Sequence, residues 1–264
     1  MRRNQAVITG ASRGLGRALA VGLARAGFCL VIDARDGDSL ASAVHAIQTR
    51  APGAAITAIP GDVTDPAHRA ELVAAAGGKA ALLVNNAGTL GAAPLPALAD
   101  YPPGELRAAF EVNVIAPIAL TQLFLPQLRE NGGAVLNITS DAAVAAYTGW
   151  GGYGAVKAAL EQASHVLAAE ETAIRVWWAD PGDLRTDMHQ AAFPGEDISD
   201  RPLPESVVPR FLYLITERLP SGRYRAAELG AAQPERAQPG RAEPGRAELE
   251  VRTEEPLSFG GRND

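Results

Sequence analysis

Short apolar runs alternate with longer segments in which Ala and Leu recur at helical spacing through the first 229 residues. The runs with strand character cover residues 5–9, 28–33, 54–60, 80–85, 133–139, 173–179 and 222–229. Helical patterns lie between them, near residues 14–27, 37–50, 65–77, 103–130, 151–171 and 204–218. Because right-handed crossovers place helices on both faces of a sheet, this alternation predicts a parallel sheet covered on each side. The expected fold is a single doubly wound α/β (Rossmann) domain of about seven strands.

The character of the chain changes near residue 230. The stretch QPERAQPGRAEPGRAELE repeats a five-residue unit, with proline at 234, 239 and 244. Proline at every fifth position forbids a continuous helix, and the unit offers little apolar surface to bury. We therefore predict a catalytic domain over residues 1–229 and a solvated, disordered tail over 230–264, with partner binding by the tail as the alternative.

Composition and charge exclude several functional classes. The 264 residues carry a formal net charge of -6, whereas a nucleic-acid surface needs clustered Lys and Arg. The lone cysteine, Cys29, excludes an internal disulfide framework, and the four histidines lack metal-ligand spacing. The N-terminal residues lead directly into a strand-like run with no apolar stretch of signal-peptide or membrane-spanning length. We expect a cytoplasmic protein without a metal site, a nucleic-acid partner or a membrane segment.

The first predicted strand runs into the sequence TGASRGLG, which places Gly10, Gly14 and Gly16 at a strand-to-helix turn. Glycines at such a turn let the backbone approach a pyrophosphate, which then sits on the N–H groups of the following helix. A tight turn alone would also explain these glycines. Their position directly after the first strand favours a dinucleotide site.

The second strand ends in VIDARDGD, at the corner that usually distinguishes the two dinucleotides. An NAD site carries a carboxylate there for the ribose hydroxyls, whereas the 2′-phosphate of NADP needs cations. Arg35 and Arg13 are candidates for the phosphate, and Asp33 and Asp36 flank the same corner. The residues favour NADP(H), with NAD(H) as the alternative; solvated surface arginines would be the uninformative explanation.

The sequence WGGYGAVKAAL places Tyr153 four residues before Lys157 in a helical pattern, so the two side chains share a face. A phenol ionises near pH 10, and lowering its pKa by about three units requires roughly 4 kcal/mol of preferential phenolate stabilisation. A nearby ammonium group acts in that direction. Ser140 follows the fifth predicted strand, at the carboxyl edge where ligands of such sheets bind. In isolation, Tyr153 and Lys157 would more often be a surface pair than a catalytic one.

Taken together, these motifs resemble the short-chain dehydrogenase/reductase family. The resemblance extends over residues 5–229 and excludes the tail. It rests on TGASRGLG, the pair DV at 62–63, NNAG at 85–88, Asn113, Ser140, the Tyr153–Lys157 spacing and PG at 181–182.

The resemblance implies an oxidoreductase that transfers hydride between a nicotinamide and a carbonyl or secondary alcohol. Tyr153 would be the general acid/base, and Lys157 would lower its pKa and hold the nicotinamide ribose. Ser140 would orient the substrate carbonyl, and Asn113 would support a water that relays protons to Lys157. The implied coenzyme-binding residues are Gly10, Ser12, Arg13, Gly14, Leu15, Gly16, Arg35, Asp62, Val63, Asn86, Ala87, Gly88, Tyr153, Lys157, Pro181, Gly182 and Thr186.

Members of this family usually pair through the helices that follow the fourth and fifth strands. The Ala-rich segments 103–130 and 151–171 would permit a homodimer or homotetramer. The alternative function is a non-catalytic dinucleotide-binding sensor, although a sensor has no need of Ser140, Tyr153 and Lys157 together. An epimerase or dehydratase is disfavoured because the C-terminal part is too short for an added substrate domain.

Several positions depart from the family pattern. Trp177 and Trp178 occupy the sixth strand, where we expect core packing or a remodelled subunit contact. Asp183 follows the PG pair where an apolar residue is frequent, and the last strand lacks the usual following glycine pair. His189 lies in the variable substrate lid, where an exposed loop histidine is favoured over a substrate contact.

Overall fold

The computed structural model describes residues 4–230. The predicted tail, apart from Gly230, therefore lies outside the described residues, and its separation from the catalytic domain stays a prediction.

The backbone forms one seven-stranded sheet in which every neighbouring pair is parallel. The strands are β1 (Gln5–Ile8), β2 (Cys29–Ala34), β3 (Ile56–Pro60), β4 (Ala80–Asn85), β5 (Ala134–Ile138), β6 (Arg175–Asp180) and β7 (Gly222–Arg225). Their spatial order is β3-β2-β1-β4-β5-β6-β7, which reverses direction between β1 and β4. This is the predicted doubly wound fold, and ligands of such sheets bind beside that reversal at the carboxyl ends of the strands.

Helices connect the strands and cover both faces of the sheet. They are α1 (Gly14–Arg25), α2 (Gly37–Arg50), α3 (Pro66–Ala76), α4 (Pro103–Phe110), α5 (Ala116–Glu130), α6 (Gly151–Glu170), α7 (Asp187–Ala192) and α8 (Val208–Thr216). Single 3₁₀ turns occur at Leu98–Asp100, Asp141–Ala143, Pro204–Ser206 and Ala226–Glu228.

Alternation along the strands divides the interior between two cores. Leu19 of α1 and Phe211 of α8 pack in the core on one face of the sheet. Phe124 of α5 and Leu72 of α3 pack in the core on the other. Because both faces are covered, the central strands are buried along their whole length, which explains their continuous apolar runs.

The two tryptophans of β6 point to opposite faces of the sheet. Trp177 is fully buried, and its indole Nε1 donates to the carbonyl of Leu219 at 2.9 Å, so its polar atom has the partner that burial demands. Trp178 faces the other way, and its ring lies 5.8 Å from that of His165 on α6. The core-packing interpretation of Trp177 is confirmed.

The predicted helix over 103–130 contains a π-helical segment, Glu111–Ile115, between α4 and α5. Such segments are frequent at functional sites. By length and composition the run Pro103–Glu130 would be apolar enough to cross a membrane. Its residues Leu120, Phe124 and Leu128 are buried against the sheet, as in a core helix of this fold.

Two elements near the C-terminal end differ from the prediction. The expected strand over 222–229 ends at Arg225 and passes into a 3₁₀ turn. The short helix α7 was not predicted, although Thr186 is a standard N-cap residue and its hydroxyl accepts a hydrogen bond from the N–H of His189. With only six residues, α7 gave no apolar periodicity to detect.

Candidate active site

The glycine-rich loop lies between β1 and α1 at the carboxyl edge of the sheet. Gly10 and Gly14 have φ of +66° and +54°, a region that side-chain-bearing residues rarely adopt. A Cβ atom on Gly16 would lie 2.3 Å from the carbonyl oxygen of Gly10, so no side chain fits between loop and helix. No side chain caps the start of α1. A bare, glycine-lined helix N-terminus of this kind fits a dinucleotide pyrophosphate.

The other predicted residues of this loop take different positions. Ser12 is half-buried, whereas the Leu15 side chain is buried in the first core, which leaves only its backbone to face a ligand. Arg13 is 71% exposed, and its Nη1 lies 3.0 Å from Asp187 Oδ2 of α7. Arg13, one of the two arginines predicted to bind the 2′-phosphate, is therefore paired with a carboxylate of α7.

The NNAG segment braces the glycine-rich loop from behind. The amide of Asn86 donates to the carbonyls of Thr9 and Gly10 at 2.9 and 3.0 Å. The N–H groups of Asn86 and Ala87 both donate to the hydroxyl of Thr9 at 3.0 Å. The Asn86 side chain thus holds the loop in shape, and Thr9, which was not among the predicted site residues, shares that role.

The acidic residues at the end of β2 are both engaged within the protein. Asp33 is 1% exposed; its Oδ1 accepts from the N–H of Gly10 at 2.7 Å, and its Oδ2 lies 3.0 Å from Nε2 of His68. Asp36 caps α2 by accepting from the N–H of Ser39.

Asp33 and His68 form a buried titratable pair. Burial raises the pKa of Asp33, and the hydrogen bonds from His68 and Gly10 oppose that rise. The hydrogen bond to Asp33 raises the pKa of His68 above its ordinary value, more than burial lowers it.

The same corner contains Arg35, Asp62 and Val63. Arg35 is exposed. Asp62 accepts hydrogen bonds from both the N–H and the hydroxyl of Thr64 at 2.8 Å. Burial acts to raise the pKa of Asp62, but the Thr64 bonds and the charge of Arg35 lower it overall. Val63 is nearly buried, as the wall of an adenine pocket would be.

Tyr153 and Lys157 lie on the buried face of α6. Lys157 Nζ lies 5.5 Å from the centroid of the Tyr153 ring and donates to the carbonyl of Ile138 at 2.9 Å. Ser140 lies two residues beyond Ile138, at the end of β5. The structure therefore brings the three predicted catalytic residues of β5 and α6 to one place on the carboxyl edge.

The pKa values at this site differ from the expectation. Burial raises the pKa of Tyr153 well above its ordinary value, and the carboxylates of Asp180 and Asp141 add to that rise. Burial lowers the pKa of Lys157 to about 8. In the protein alone the net shift of the Tyr153 pKa is therefore upward, opposite to the expected direction, and its causes are burial and the two carboxylates.

The hydroxyl of Ser140 binds the carboxylate of the next residue, Asp141, a contact that the sequence did not predict. This hydroxyl donates to Asp141 Oδ1 at 3.0 Å and accepts from the N–H of Ala142 at 3.2 Å. The other oxygen of Asp141 accepts from the hydroxyl of Tyr147 at 2.9 Å. Ser140 is thus held in a defined rotamer by the turn that follows β5.

Asn113 reaches the same region from the π-helical segment. It is fully buried; its amide donates to the carbonyls of Thr89 and Ala109 at 3.0 and 2.9 Å. A Cβ atom on Gly88 would lie 2.9 Å from Asn113 Oδ1 and 3.7 Å from Lys157 Nζ. Asn113 and Lys157 therefore converge on one point beside Gly88, where only glycine fits.

The segment after β6 forms the remaining edge of the site. Pro181 is half-buried and Gly182, at φ +76°, donates its N–H to Asp180 Oδ1 at 2.8 Å. A Cβ atom on Gly14 would lie 3.5 Å from Thr186 Cγ2, which brings Thr186 against the glycine-rich loop.

His189 is not an exposed loop residue. Its side chain, on α7, is 10% exposed, and its ring lies 4.9 Å from that of Phe193. Phe193 in turn lies 5.9 Å from Trp150, which packs edge-on against Tyr153 at 5.7 Å. A continuous row of aromatic contacts thus connects α7 to Tyr153 on α6.

Comparison with known proteins agrees with this geometry. The family model for short chain dehydrogenases matches residues 4–197. Sepiapterin reductase of Bos taurus is 36% identical over 203 residues, covering 72% of this chain and 76% of that protein. The 7alpha-hydroxysteroid dehydrogenase of Escherichia coli K12 is 35% identical over 197 residues, covering 72% and 75%.

Solved structures give the same result. A short-chain dehydrogenase from Shigella flexneri 2a, complexed with NADP, superposes with a TM-score of 0.79 at 27% identity, covering 86% of this chain and 98% of that one. An alcohol dehydrogenase from the archaeon Thermococcus sibiricus, complexed with 5-hydroxy-NADP, has a TM-score of 0.75 at 26% identity, covering 84% and 95%. With the matching family model, these likenesses show that the chain belongs to the short-chain dehydrogenase family.

Proposed function

We propose that this chain is an NADP(H)-dependent oxidoreductase that reduces a small-molecule carbonyl to a secondary alcohol. The observation that carries the proposal is the convergence of Tyr153, Lys157 and Asn113 beside the strand end that bears Ser140. Four groups with these chemistries, supplied by three separate elements, are what proton transfer to a substrate oxygen requires. A cytoplasmic location and a homodimer or homotetramer remain part of the proposal.

Each residue has a distinct task in this reaction. When bound, the coenzyme would supply the hydride that the carbonyl carbon accepts. Tyr153 donates the proton that the carbonyl oxygen needs, and Ser140 orients that oxygen beside the phenol. Lys157 holds the nicotinamide ribose and returns a proton toward Tyr153. Asn113 Oδ1, close to Lys157 across Gly88, supports the water through which Lys157 is recharged.

The electrostatics of the site favour the protonated form of Tyr153. Because burial and the carboxylates of Asp141 and Asp180 raise the pKa of Tyr153, the phenol stays protonated at neutral pH. A protonated phenol is the form that donates to a carbonyl oxygen. Oxidation of an alcohol would need the phenolate, which these carboxylates disfavour.

The choice of NADP(H) rests on the end of β2. Asp33 is buried and its two oxygens bind Gly10 and His68, so it is not free for the ribose hydroxyls that an NAD site binds. One oxygen of Asp36 caps the N-terminus of α2. Arg35 is exposed beside them and suits a 2′-phosphate.

Substitution of Arg35 with aspartate should shift the preference from NADPH toward NADH. A hydrogen bond to a charged group contributes about 1.5–3 kcal/mol, so the ratio of the two kcat/KM values should change by roughly 10- to 100-fold. Steady-state kinetics with each coenzyme measures the ratio. Arg50→Asp, with the same charge change at the other end of α2, is the matched control. An unchanged ratio in R35D, or an equal change in R50D, would contradict the assignment.

The reaction itself is tested with a panel of aliphatic, cyclic and aromatic ketones, followed by loss of NADPH absorbance. The names of the relatives include a reductase and a dehydrogenase of a hydroxysteroid, so the panel should include fused-ring ketones and the reverse reaction with the matching alcohols. Turnover of any carbonyl supports the proposal. Tight NADPH binding without turnover across the panel would favour the sensor alternative.

A further inference from the structure

Three polar residues lie four apart on the buried face of α6. Tyr153 and Lys157 are followed at the next turn by Glu161, so all three side chains share one stripe. Lys157 Nζ binds the carbonyl of Ile138 at 2.9 Å, and Glu161 Oε1 accepts from the hydroxyl of Thr139 at 2.7 Å. Lys157 and Glu161 therefore bind successive residues at the carboxyl end of β5.

Arg223 of β7 completes this arrangement. Its Nε lies 3.0 and 3.1 Å from the two carboxylate oxygens of Glu161, and its Nη2 donates to the carbonyl of Ser140 at 3.2 Å. The same Nη2 lies 4.0 Å from Asp180 Oδ2. The side chains of Arg223 and Glu161 are only 24% and 12% exposed. One guanidinium thus joins the catalytic helix, the peptide of Ser140 and the end of β6.

We propose that Arg223 and Glu161 form a clamp that fixes Ser140 relative to Tyr153 and Lys157, so that both are positioning residues for the proton transfer. The proposal rests on the proposed function, because it concerns the alignment of that function's catalytic groups. Neither residue needs to touch the substrate.

The chemistry of the guanidinium explains why this position suits arginine. Its planar fork donates in several fixed directions at once, which a single ammonium cannot do. Here one nitrogen serves Glu161 while another serves the carbonyl of Ser140. Because these groups are mostly shielded from water, their hydrogen bonds hold geometry more firmly than a surface ion pair would.

The first test is Arg223→Ala in the full chain. Loss of the clamp should lower kcat for carbonyl reduction by roughly 10- to 100-fold, the effect of a small misplacement of reacting groups. The Kd for NADPH, measured by fluorescence titration, should change less than about twofold, because no hydrogen bond of the clamp reaches the glycine-rich loop. Arg223→Lys keeps the charge opposite Glu161 but not the fork, so its kcat should lie between those of Arg223→Ala and the wild type.

Arg225→Ala is the matched control. Arg225 lies two residues away on the same strand, is 51% exposed and pairs with Glu228 at 3.9 Å. Its removal takes away the same charge but none of the clamp bonds, so kcat should stay within about twofold. An equal loss in Arg225→Ala, a wild-type kcat in Arg223→Ala, or full rescue by Arg223→Lys would overturn the proposal.

A readout without turnover separates failure of the clamp from failure of the proposed function. Hydrogen exchange followed by mass spectrometry should show faster exchange in residues 138–144 of Arg223→Ala, with α1 and β1 unchanged. This pattern supports the clamp even if no carbonyl is reduced. Unchanged exchange in residues 138–144, or a uniform increase throughout residues 4–230, would refute it.

Discussion

Replacing Tyr153 with phenylalanine is expected to lower kcat for carbonyl reduction by about 10³-fold while leaving NADPH binding nearly unchanged. The substitution removes one hydroxyl from a ring that is 9% exposed and keeps the ring itself packed against Trp150. A positioned general acid contributes roughly 10²- to 10⁴-fold to rate, so loss of the Tyr153 proton should appear in turnover. Single-turnover kinetics and fluorescence titration with NADPH measure the two quantities separately.

Tyr147→Phe is the matched control for this prediction. The Tyr147 hydroxyl donates to Asp141 Oδ2 at 2.9 Å, on a ring that is 47% exposed. Its loss removes a phenol from the same turn without removing the proposed acid, so kcat should fall only a few-fold. Activity of Tyr153→Phe within a few-fold of the wild type, or an equal loss in Tyr147→Phe, would remove Tyr153 from the proposed role.

The strands and most helices could be predicted from the sequence because their signals are local. The apolar run over 80–85 coincides with β4, and the predicted bounds of the other strands differ mainly at their ends. The turn after the first strand could also be predicted, because glycine adopts the positive φ that other residues rarely reach. The one helix that was not predicted, α7, has six residues and is too short for a periodic pattern, and the predicted strand over 222–229 ends four residues early, at Arg225.

The shared face of Tyr153 and Lys157 could be predicted from the sequence, but the electrostatics around them could not. The spacing of Tyr153 and Lys157 placed both on one face, and the structure agrees. The sequence could not show that Asp180, 27 positions later, ends β6 near the phenol and raises its pKa together with burial. The sequence indicated one charged neighbour of the phenol, Lys157. The fold adds Asp180 at the end of β6 and Asp141 in the turn after β5.

Long-range pairings account for the other differences. Asp33 had the residue type of a ribose ligand, but His68, 35 positions away, binds its carboxylate. Arg223 and Glu161 are 62 positions apart and gave no motif. Contacts of this range depend on how β7 and α6 meet over the sheet, which no window of sequence contains.

The Asp33–His68 pair should make a large contribution to stability. His68→Ala leaves a carboxylate that is 1% exposed without its imidazole partner, and breaking a buried pair in this way typically costs about 3 kcal/mol or more. Chemical denaturation near pH 6 measures the loss. Asp33→Asn combined with His68→Ala should recover part of it, because an amide oxygen still accepts from the N–H of Gly10 without a buried charge. No recovery in the double variant would show that lost packing, and not the unpaired carboxylate, causes the destabilisation.

The same pair sets a pH dependence whose sign follows from the pKa of His68. Since Asp33 raises that pKa above the ordinary value of 6.5, the folded protein holds a proton that the unfolded chain releases. The stabilisation is complete below about pH 6.5 and is lost as the pH rises through the raised pKa of His68. His68→Gln can still donate to Asp33 but does not titrate, so the free energy of unfolding of the wild type should fall relative to this variant over that interval. Lys157, whose pKa is lowered to about 8, titrates in both proteins and cancels in the difference. A difference that stays constant with pH would mean that His68 is neutral throughout and binds Asp33 only as a hydrogen-bond donor.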